Sequence, residues 1–266
     1  MKKSVNIAGN SFPPIISFII LLLIWEFGVR LYHIPDYILA APSQVIEAII
    51  QKFPLLMFHT TATLLEAVTG FILSVAIAFV IAFLLTSIIW LNRAIYPLLI
   101  VSQTIPLIVL AVLFTIWFGF GMVPKILVVI LVCFFPIAIN LINGINSVDR
   151  DLINLFRSMG AGSLATLTMV KLPSAMPSFF SGLRISATYS IMAAVIGEWL
   201  GAQRGLGYFM TLQQKSFAID QVLAAVVIIC LLSLLMVKAV DLLEYLLIPW
   251  NRKQNKLEYW EQNTNN

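Results

Sequence analysis

The residues of this chain that could do chemistry are polar or charged groups placed within long apolar runs. Charged groups are costly in apolar surroundings, so they commonly line a solute or ion path or pair with one another. Near the ends of such runs they can also reach water or a local partner. The candidates for lining a permeation path are Ser102, Gln103, Thr104, Glu66, Arg184 and Glu198.

These residues do not predict an enzyme. The two histidines, His33 and His59, lie far apart in sequence and have no cluster of acidic or cysteine residues beside them. The sequence contains no G-x-x-x-x-G-K-[ST] loop, the pattern that cradles nucleotide phosphates. We therefore expect no cofactor in this chain, and any ATP hydrolysis must take place on a separate polypeptide.

Composition places these residues in a membrane. Of 266 residues, 61% are hydrophobic and 11% are charged, whereas a soluble domain is roughly a quarter charged. The net charge of +4 does not come from a basic run with interleaved aromatics, so no nucleic-acid partner is expected. An integral membrane protein, all-α, with the lipid bilayer as its surroundings, is the class that fits.

Six apolar runs are long enough to cross the bilayer, which takes about 20 helical residues. The run with Ser102 also contains Pro106, which predicts a kink. Between the first two runs, an amphipathic helix over 44–53, capped by Ser43, is expected either to lie flat on the membrane or to cap the outer mouth of the path. The predicted spans are 15–31, 62–85, 97–118, 125–142, 178–200 and 222–248.

A polar segment, 149–177, lies between the fourth and fifth spans. Leu155, Phe156 and Met159 fall at helical spacing, and Gly160 then breaks the helix. A second short helix over 163–170, with Ser163 as its N-cap, is predicted to end at Pro173 and Pro177, because proline disfavours a continuing helix. This pattern of helix, glycine turn, helix and proline stop suits docking of another protein.

The polar segment resembles the cytoplasmic loop of ABC-importer permeases of the binding-protein-dependent type. That family carries E-A-A, three residues, G, nine residues, then I-x-L-P. Gly160 and the V-K-L-P that begins nine residues later fit, with valine for isoleucine, whereas N-L-F stands in place of E-A-A. The stretches 35–45 (PDYILAAPSQV), 181–186 (SGLRIS) and 197–208 (GEWLGAQRGLGY) resemble the nitrate, sulfonate and taurine branch.

The resemblance implies a type I ABC importer permease fold with six transmembrane helices. It also implies two ATPase subunits that use ATP, an extracytoplasmic solute-binding protein and a second copy of this chain as a homodimer. An apolar ridge with a charged rim would enter a groove on the ATPase. The docking residues it implies are Leu155, Phe156, Arg157, Ser158, Met159, Gly160, Ala161, Lys171, Leu172 and Pro173.

Orientation follows from the positive charges, nine in the segments assigned to the inside and five outside. This predicts a multi-pass protein of the bacterial cytoplasmic (inner) membrane with both termini in the cytoplasm. The expected divisions are an N-terminal span and periplasmic amphipathic segment (1–57), the permease domain (58–248) and a cytoplasmic tail (249–266).

The solute is less constrained than the class of protein. The form of 197–210 resembles permeases for a thiamine pyrimidine precursor. The alternatives are nitrate, an alkanesulfonate, taurine or riboflavin. An ion-coupled secondary transporter is an alternative of another class, but it would need ionisable groups near the middle of the bilayer, and none is obvious.

Overall fold

In a computed structural model, which describes residues 12–250, the chain folds into helices joined by short turns. The helices in chain order are α1 (Phe12–Leu31), α2 (Pro42–Gln51), α3 (Phe53–Ser87), α4 (Ile89–Ser102), α5 (Leu107–Phe118), α6 (Met122–Asn146), α7 (Arg150–Ser158), α8 (Ser163–Thr166), α9 (Leu172–Trp199), α10 (Leu206–Lys215) and α11 (Ile219–Leu247). A π-helical turn, Leu167–Lys171, connects α8 to α9. The predicted all-α class is confirmed.

Helix α6 is the centre of the bundle and packs against both α3 and α9. Small residues allow this close packing, as is common between helices in lipid. Ala78 and Ala82 of α3 and Ala187 of α9 are fully buried in the core, together with Ile137 and Leu141 of α6. Helix α11 packs against the other side of α9.

Gly182 of α9 lies where α9 and α6 approach each other closely. A Cβ atom there would lie 2.7 Å from the carbonyl oxygen of Pro136. Replacing Gly182 by alanine is therefore expected to force the helices apart and to lower the free energy of unfolding by about 1–3 kcal/mol. Thermal unfolding in detergent measures this. The matched control is Gly28→Ala in α1, where an added Cβ meets nothing within 4 Å. Equal melting temperatures for both variants would contradict this account of the packing.

Four helices are long and apolar enough to cross a membrane: α3, α6, α11 and the continuous helix Ser163–Trp199. Helices α4 and α5 form a fifth candidate, a pair bent by 99° at a short break. Helix α1 has 20 residues, the length that the first predicted span requires, but it is not among these candidates. The count of six spans therefore stays a prediction.

The predicted proline stop in the polar segment is wrong. Pro173 and Pro177 lie inside α9, which continues from α8 without interruption. The amide of Leu172 bonds to the carbonyl of Leu167, a wide π-type turn directly before Pro173. We attribute the tolerance of proline to this turn, because π-type adjustments re-satisfy backbone groups that a proline frees. Ser163 is not the N-cap either, since Gly162 occupies that position.

The kink expected near Pro106 is a full break between α4 and α5, as the 99° angle shows. The amphipathic helix near the N-terminus is present as α2, but Ser43 does not cap it. Ala41 precedes the helix and donates its amide to the side chain of Gln44 at 2.7 Å. Ser43 instead donates its hydroxyl to Glu26 of α1 at 2.9 Å.

Helix α2 lies at the end of the bundle away from residues 149–171, which we call the distal end. There α3 begins, α9 ends and α11 begins. Val45 and Ala48 of α2 are buried in a small core with Ala224 and Ile228 of α11. This second core holds the amphipathic helix against the distal end.

Candidate functional site

Residues 149–162 form a corner at the end of the bundle opposite the distal end, and we call it the elbow. Asp149 begins α7, and its carboxylate accepts the amide of Asp151 at 2.9 Å. At the other end of α7, Gly160 has a φ of +87°, the left-handed conformation that glycine adopts without strain. The amide of Gly160 bonds to the carbonyl of Arg157 at 2.9 Å, and that of Ala161 to Phe156 at 3.0 Å. These two bonds make a Schellman C-cap, which fixes the direction of the chain after α7.

The elbow presents apolar side chains that nothing in the described chain covers. Leu155 is 55% exposed and Met159 is 76% exposed, while Phe156 is half-buried beside them. Arg157 lies exposed on the same short helix. The docking residues expected from the sequence up to Ala161 therefore lie together in the elbow. Lys171, Leu172 and Pro173 lie beyond it, around the π-turn and half-buried.

A pocket opens where α4 breaks from α5, and it contains part of the predicted polar group. Ser102 and Gln103 line it, opposite Tyr189 and Met192 of α9 and Phe135 of α6. The volume is about 350 Å³, which falls within the range of small-molecule sites. No charged side chain is among its lining residues. Thr104, the third member of the group, is outside this lining and bonds to the carbonyl of Val101 at 2.7 Å.

Glu66 and Glu198 meet at the distal end, far from that break. Each is 1% exposed. Lys125 of α6 donates to Glu66 Oε1 at 2.7 Å, a buried ion pair between α3 and α6. Glu198 of α9 accepts the hydroxyl of Thr63 at 2.6 Å and the amide of Gly207 at 2.5 Å. The network therefore ties α3, α6, α9 and the start of α10 together.

The turn between α9 and α10 closes over this network. The hydroxyl of Thr63 accepts the amide of Leu206 at 2.8 Å, and His59 accepts the amide of Gly205 at 3.2 Å. Arg204 stacks on the ring of Phe58, with its guanidinium carbon 3.8 Å from the ring centre. A Cβ at Gly205 would overlap the carboxyl group of Glu198, so only glycine fits there.

Arg184 lies apart from both the pocket at the α4–α5 break and the buried network of Glu66 and Glu198. Its guanidinium donates to Asp241 at 2.8 Å and also pairs with Glu244, both on α11. Lys238 is 3.7 Å from the same Asp241. These contacts join α9 to α11 in the half of the bundle nearer the elbow. The six candidate path residues thus form three separate groups and do not line one site.

Sequence reasoning missed Lys125, Thr63 and His59 as members of the distal network. From the sequence, Lys125 was placed at the start of the fourth span, and His59 was noted only as lying far from the other histidine. One signal was available for Thr63, because it precedes Glu66 by three residues and so lies on the same helix face. The partnership with Lys125 spans 59 residues of sequence and leaves no local pattern.

Membrane-length helices, an uncharged pocket at the α4–α5 break and an exposed elbow at one end of the bundle fit a membrane transport subunit. Residues 75–253 match the family described as the binding-protein-dependent transport system inner membrane component. The chain belongs to this family, and it is the permease of an ABC importer, a transport subunit whose ATPase is on separate chains.

The names of the similar proteins give different solutes. The formylaminopyrimidine transport permease protein ThiX of Halalkalibacterium halodurans is 38% identical over 96% of this chain and 100% of its own length. The riboflavin transport system permease protein RibX of Chloroflexus aurantiacus is 35% identical over 88% of each chain. The taurine transport system permease protein TauC of Escherichia coli is 28% identical over 87% of each.

Solved structures agree with the fold. A chain in the crystal structure of an amino acid ABC transporter with histidines superposes with a TM-score of 0.62. It has 18% identity, and the match covers 75% of this chain and 97% of that one. A chain of the inward-facing MetNI methionine ABC transporter gives a TM-score of 0.60 at 19% identity. At these identities the likeness shows the importer permease fold alone.

Proposed function

We propose that this permease imports a small neutral heteroaromatic solute, a thiamine pyrimidine precursor such as formylaminopyrimidine. The observation that carries the proposal is the 38% identity to a formylaminopyrimidine permease along that protein's whole length. The match spans the relative's whole length, so that relative's path lies within the matched region.

The chemistry of the pocket at the α4–α5 break supports a neutral solute. An anion needs basic groups along its path, and the lining there has none. Within the membrane-length helices, Arg184 and Lys238 are paired with carboxylates of α11, and Lys125 is paired with Glu66. Phe135 and Tyr189 supply aromatic faces to a flat ring instead.

Riboflavin is the second candidate, because the riboflavin permease is 35% identical over 88% of this chain. It is also a flat heteroaromatic compound, so the same aromatic pocket would suit it. The sulfonate and taurine permeases are more distant, at 28–31% identity.

In the assembly we propose, two copies of this chain form the path and two ATPase subunits bind the two elbows. ATP-driven closure of the ATPases would draw the elbows together and open the path toward the outside. The binding protein would deliver solute at the distal end, with both termini of the chain in the cytoplasm. Residues 58–248 would form the permease domain. The uncovered Leu155 and Met159 support the elbow as the ATPase contact.

Uptake into proteoliposomes tests the proposed solute. The permease is reconstituted with its cognate ATPase and binding protein, and labelled formylaminopyrimidine, riboflavin and an aliphatic sulfonate are compared. We expect ATP-dependent uptake of formylaminopyrimidine at a rate at least tenfold above that of the sulfonate. Preferred uptake of the sulfonate would refute the proposed solute class, and uptake without ATP would refute the coupling.

A further inference from the structure

Glu66 and Glu198 face each other at the distal end, beneath the turn between α9 and α10. They come from different helices, each is 1% exposed, and their carboxyl groups share a hydrogen bond. Two ionised carboxylates cannot make such a bond, because both are acceptors and neither carries a proton. One of the two carboxyl groups must therefore be protonated.

The charges around the pair indicate which carboxyl group holds the proton. The buried cation of the network is Lys125, whose ammonium group donates to Glu66 Oε1 at 2.7 Å. One ammonium group balances one carboxylate, and a second buried carboxylate without a cation would be costly. Glu66 is thus the ionised partner. Its Oε2 atom receives no other donor from the described residues, which leaves it as the acceptor for a proton on Glu198.

The remaining bonds of Glu198 suit a protonated carboxyl group. One of its oxygens accepts the hydroxyl of Thr63 at 2.6 Å, and the other accepts the amide of Gly207 at 2.5 Å. A carboxylic acid donates one O–H and keeps acceptor capacity besides. Glu198 can therefore hold α3 and the first turn of α10 while it donates to Glu66.

The turn over the pair depends on this arrangement. Gly205 lies directly against the carboxyl group of Glu198, where an added Cβ would overlap it. If Glu198 lost its proton, its carboxylate would repel that of Glu66, in a buried place where water screens little. The contacts of Glu198 with Thr63 and Gly207 would then be weakened, and these contacts hold the turn closed.

Other ionisable groups also face the pair from the elements packed around it. Besides Lys125 of α6 they are His59 of α3, Arg204 of the turn and Tyr208 of α10. His59 accepts the amide of Gly205 at 3.2 Å, so its protonation at low pH would remove an acceptor and loosen the turn. This effect opposes that of the carboxyl pair, and a test must compare proteins that all keep His59.

We propose that Glu66 and Glu198 share one proton, and that this proton latches the turn 201–207 over the distal end. While the proton is held, the turn stays closed. As the pH rises, Glu198 releases the proton to solvent through the distal pocket that Glu66 and residues 201–204 line, and the turn opens. The latch goes beyond the proposed function and does not depend on which solute is carried.

Infrared spectroscopy of the purified permease with its ATPase detects the proton. The carbonyl band of a protonated carboxyl group is separate from the bands of a carboxylate and shifts in D2O. We expect such a band in wild type at neutral pH. Glu198→Gln and Glu66→Gln should each remove it, because either change leaves one carboxylate for one ammonium group. Glu47→Gln, at an exposed position of α2, is the matched control and should keep the band.

Hydrogen exchange of amides 201–207 detects the latch. In Glu198→Gln the side-chain amide can donate to Glu66 as the acid does, but it has no proton to release. Opening of the wild-type turn releases one proton. The ratio of wild-type to Glu198→Gln exchange rates should therefore rise about tenfold per pH unit from about pH 5 upward, until the closed form itself loses the proton. For the elbow amides the ratio should not change with pH.

Co-purification with the ATPase confirms that each variant assembles, and Glu66→Gln replaces Glu198→Gln in the exchange experiment if the latter does not. A wild-type spectrum without the carboxyl band would show that no proton is shared. An exchange ratio of 201–207 that stays constant with pH would show that the proton does not hold the turn. Either result overturns the proposed latch, and neither bears on the solute, which the uptake experiment tests separately.

Discussion

Replacing Gly160 by valine is expected to lower the amount of ATPase that co-purifies with the permease about tenfold or more. Gly160 holds a φ of +87°, and a β-branched residue in the left-handed region costs about 1–3 kcal/mol. The Schellman C-cap of α7 would therefore open and move the exposed apolar ridge of Leu155 and Met159. A loss of 1.4 kcal/mol is about a tenfold change in a binding equilibrium. Pull-down of the ATPase on tagged permease, together with uptake, measures the effect.

The matched control for this experiment is two residues away in the same elbow. Gly162 has a φ of −71°, which valine adopts freely, and an added Cβ there meets nothing within 4 Å. Gly162→Val should therefore retain most of the ATPase and of the uptake. If both variants keep the ATPase equally well, the elbow is not the docking contact. If both variants lose the ATPase, the left-handed conformation at Gly160 does not explain the loss of binding.

Replacing Lys125 by methionine is expected to destabilise the permease by about 3–5 kcal/mol, because it leaves the buried carboxylate of Glu66 without its partner. Thermal unfolding in detergent should show a large drop in melting temperature. The effect should be independent of ATP and of the binding protein, since it arises within one chain.

The double variant Glu66→Gln with Lys125→Met separates a missing partner from lost packing. It removes both charges and keeps similar volumes, and replacing a buried ion pair in this way is often close to neutral. We expect it to recover most of the stability lost in Lys125→Met alone. Equal instability of the single and double variants would show that Lys125 matters through its packing and not through its charge.

Local signals in the sequence predicted the elbow well. A glycine directly after an amphipathic helix indicates a left-handed C-cap, and Gly160 forms one. The apolar spacing of Leu155 and Met159 predicted a ridge, and the structure leaves it uncovered. Most span boundaries also followed from apolar length alone, because lipid requires every backbone group to be satisfied within a helix.

The sequence predictions were wrong or incomplete where the structure depends on effects that no local sequence pattern reveals. Pro173 was expected to end a helix, but the π-turn before it lets α8 and α9 run on as one. The ion pair of Lys125 and Glu66 depends on the packing of α3 against α6, which brings together residues 59 positions apart. Arg184 is held by α11 at a distance from the distal network, and its role in the permeation path stays a prediction.

The unbroken helix Ser163–Trp199 has 37 residues, so at a rise of 1.5 Å per residue it is about 55 Å long. It begins beside the elbow and ends next to Glu198, so the orientation of its first residues around the helix axis fixes that of its last residues. Each residue turns the helix by about 100°, and inserting one residue midway would swing Glu198 away from Thr63 while the elbow stayed in place. The spacing between the elbow and the distal network is therefore set in nearly whole turns, and a change of about seven residues, or two turns, would preserve it.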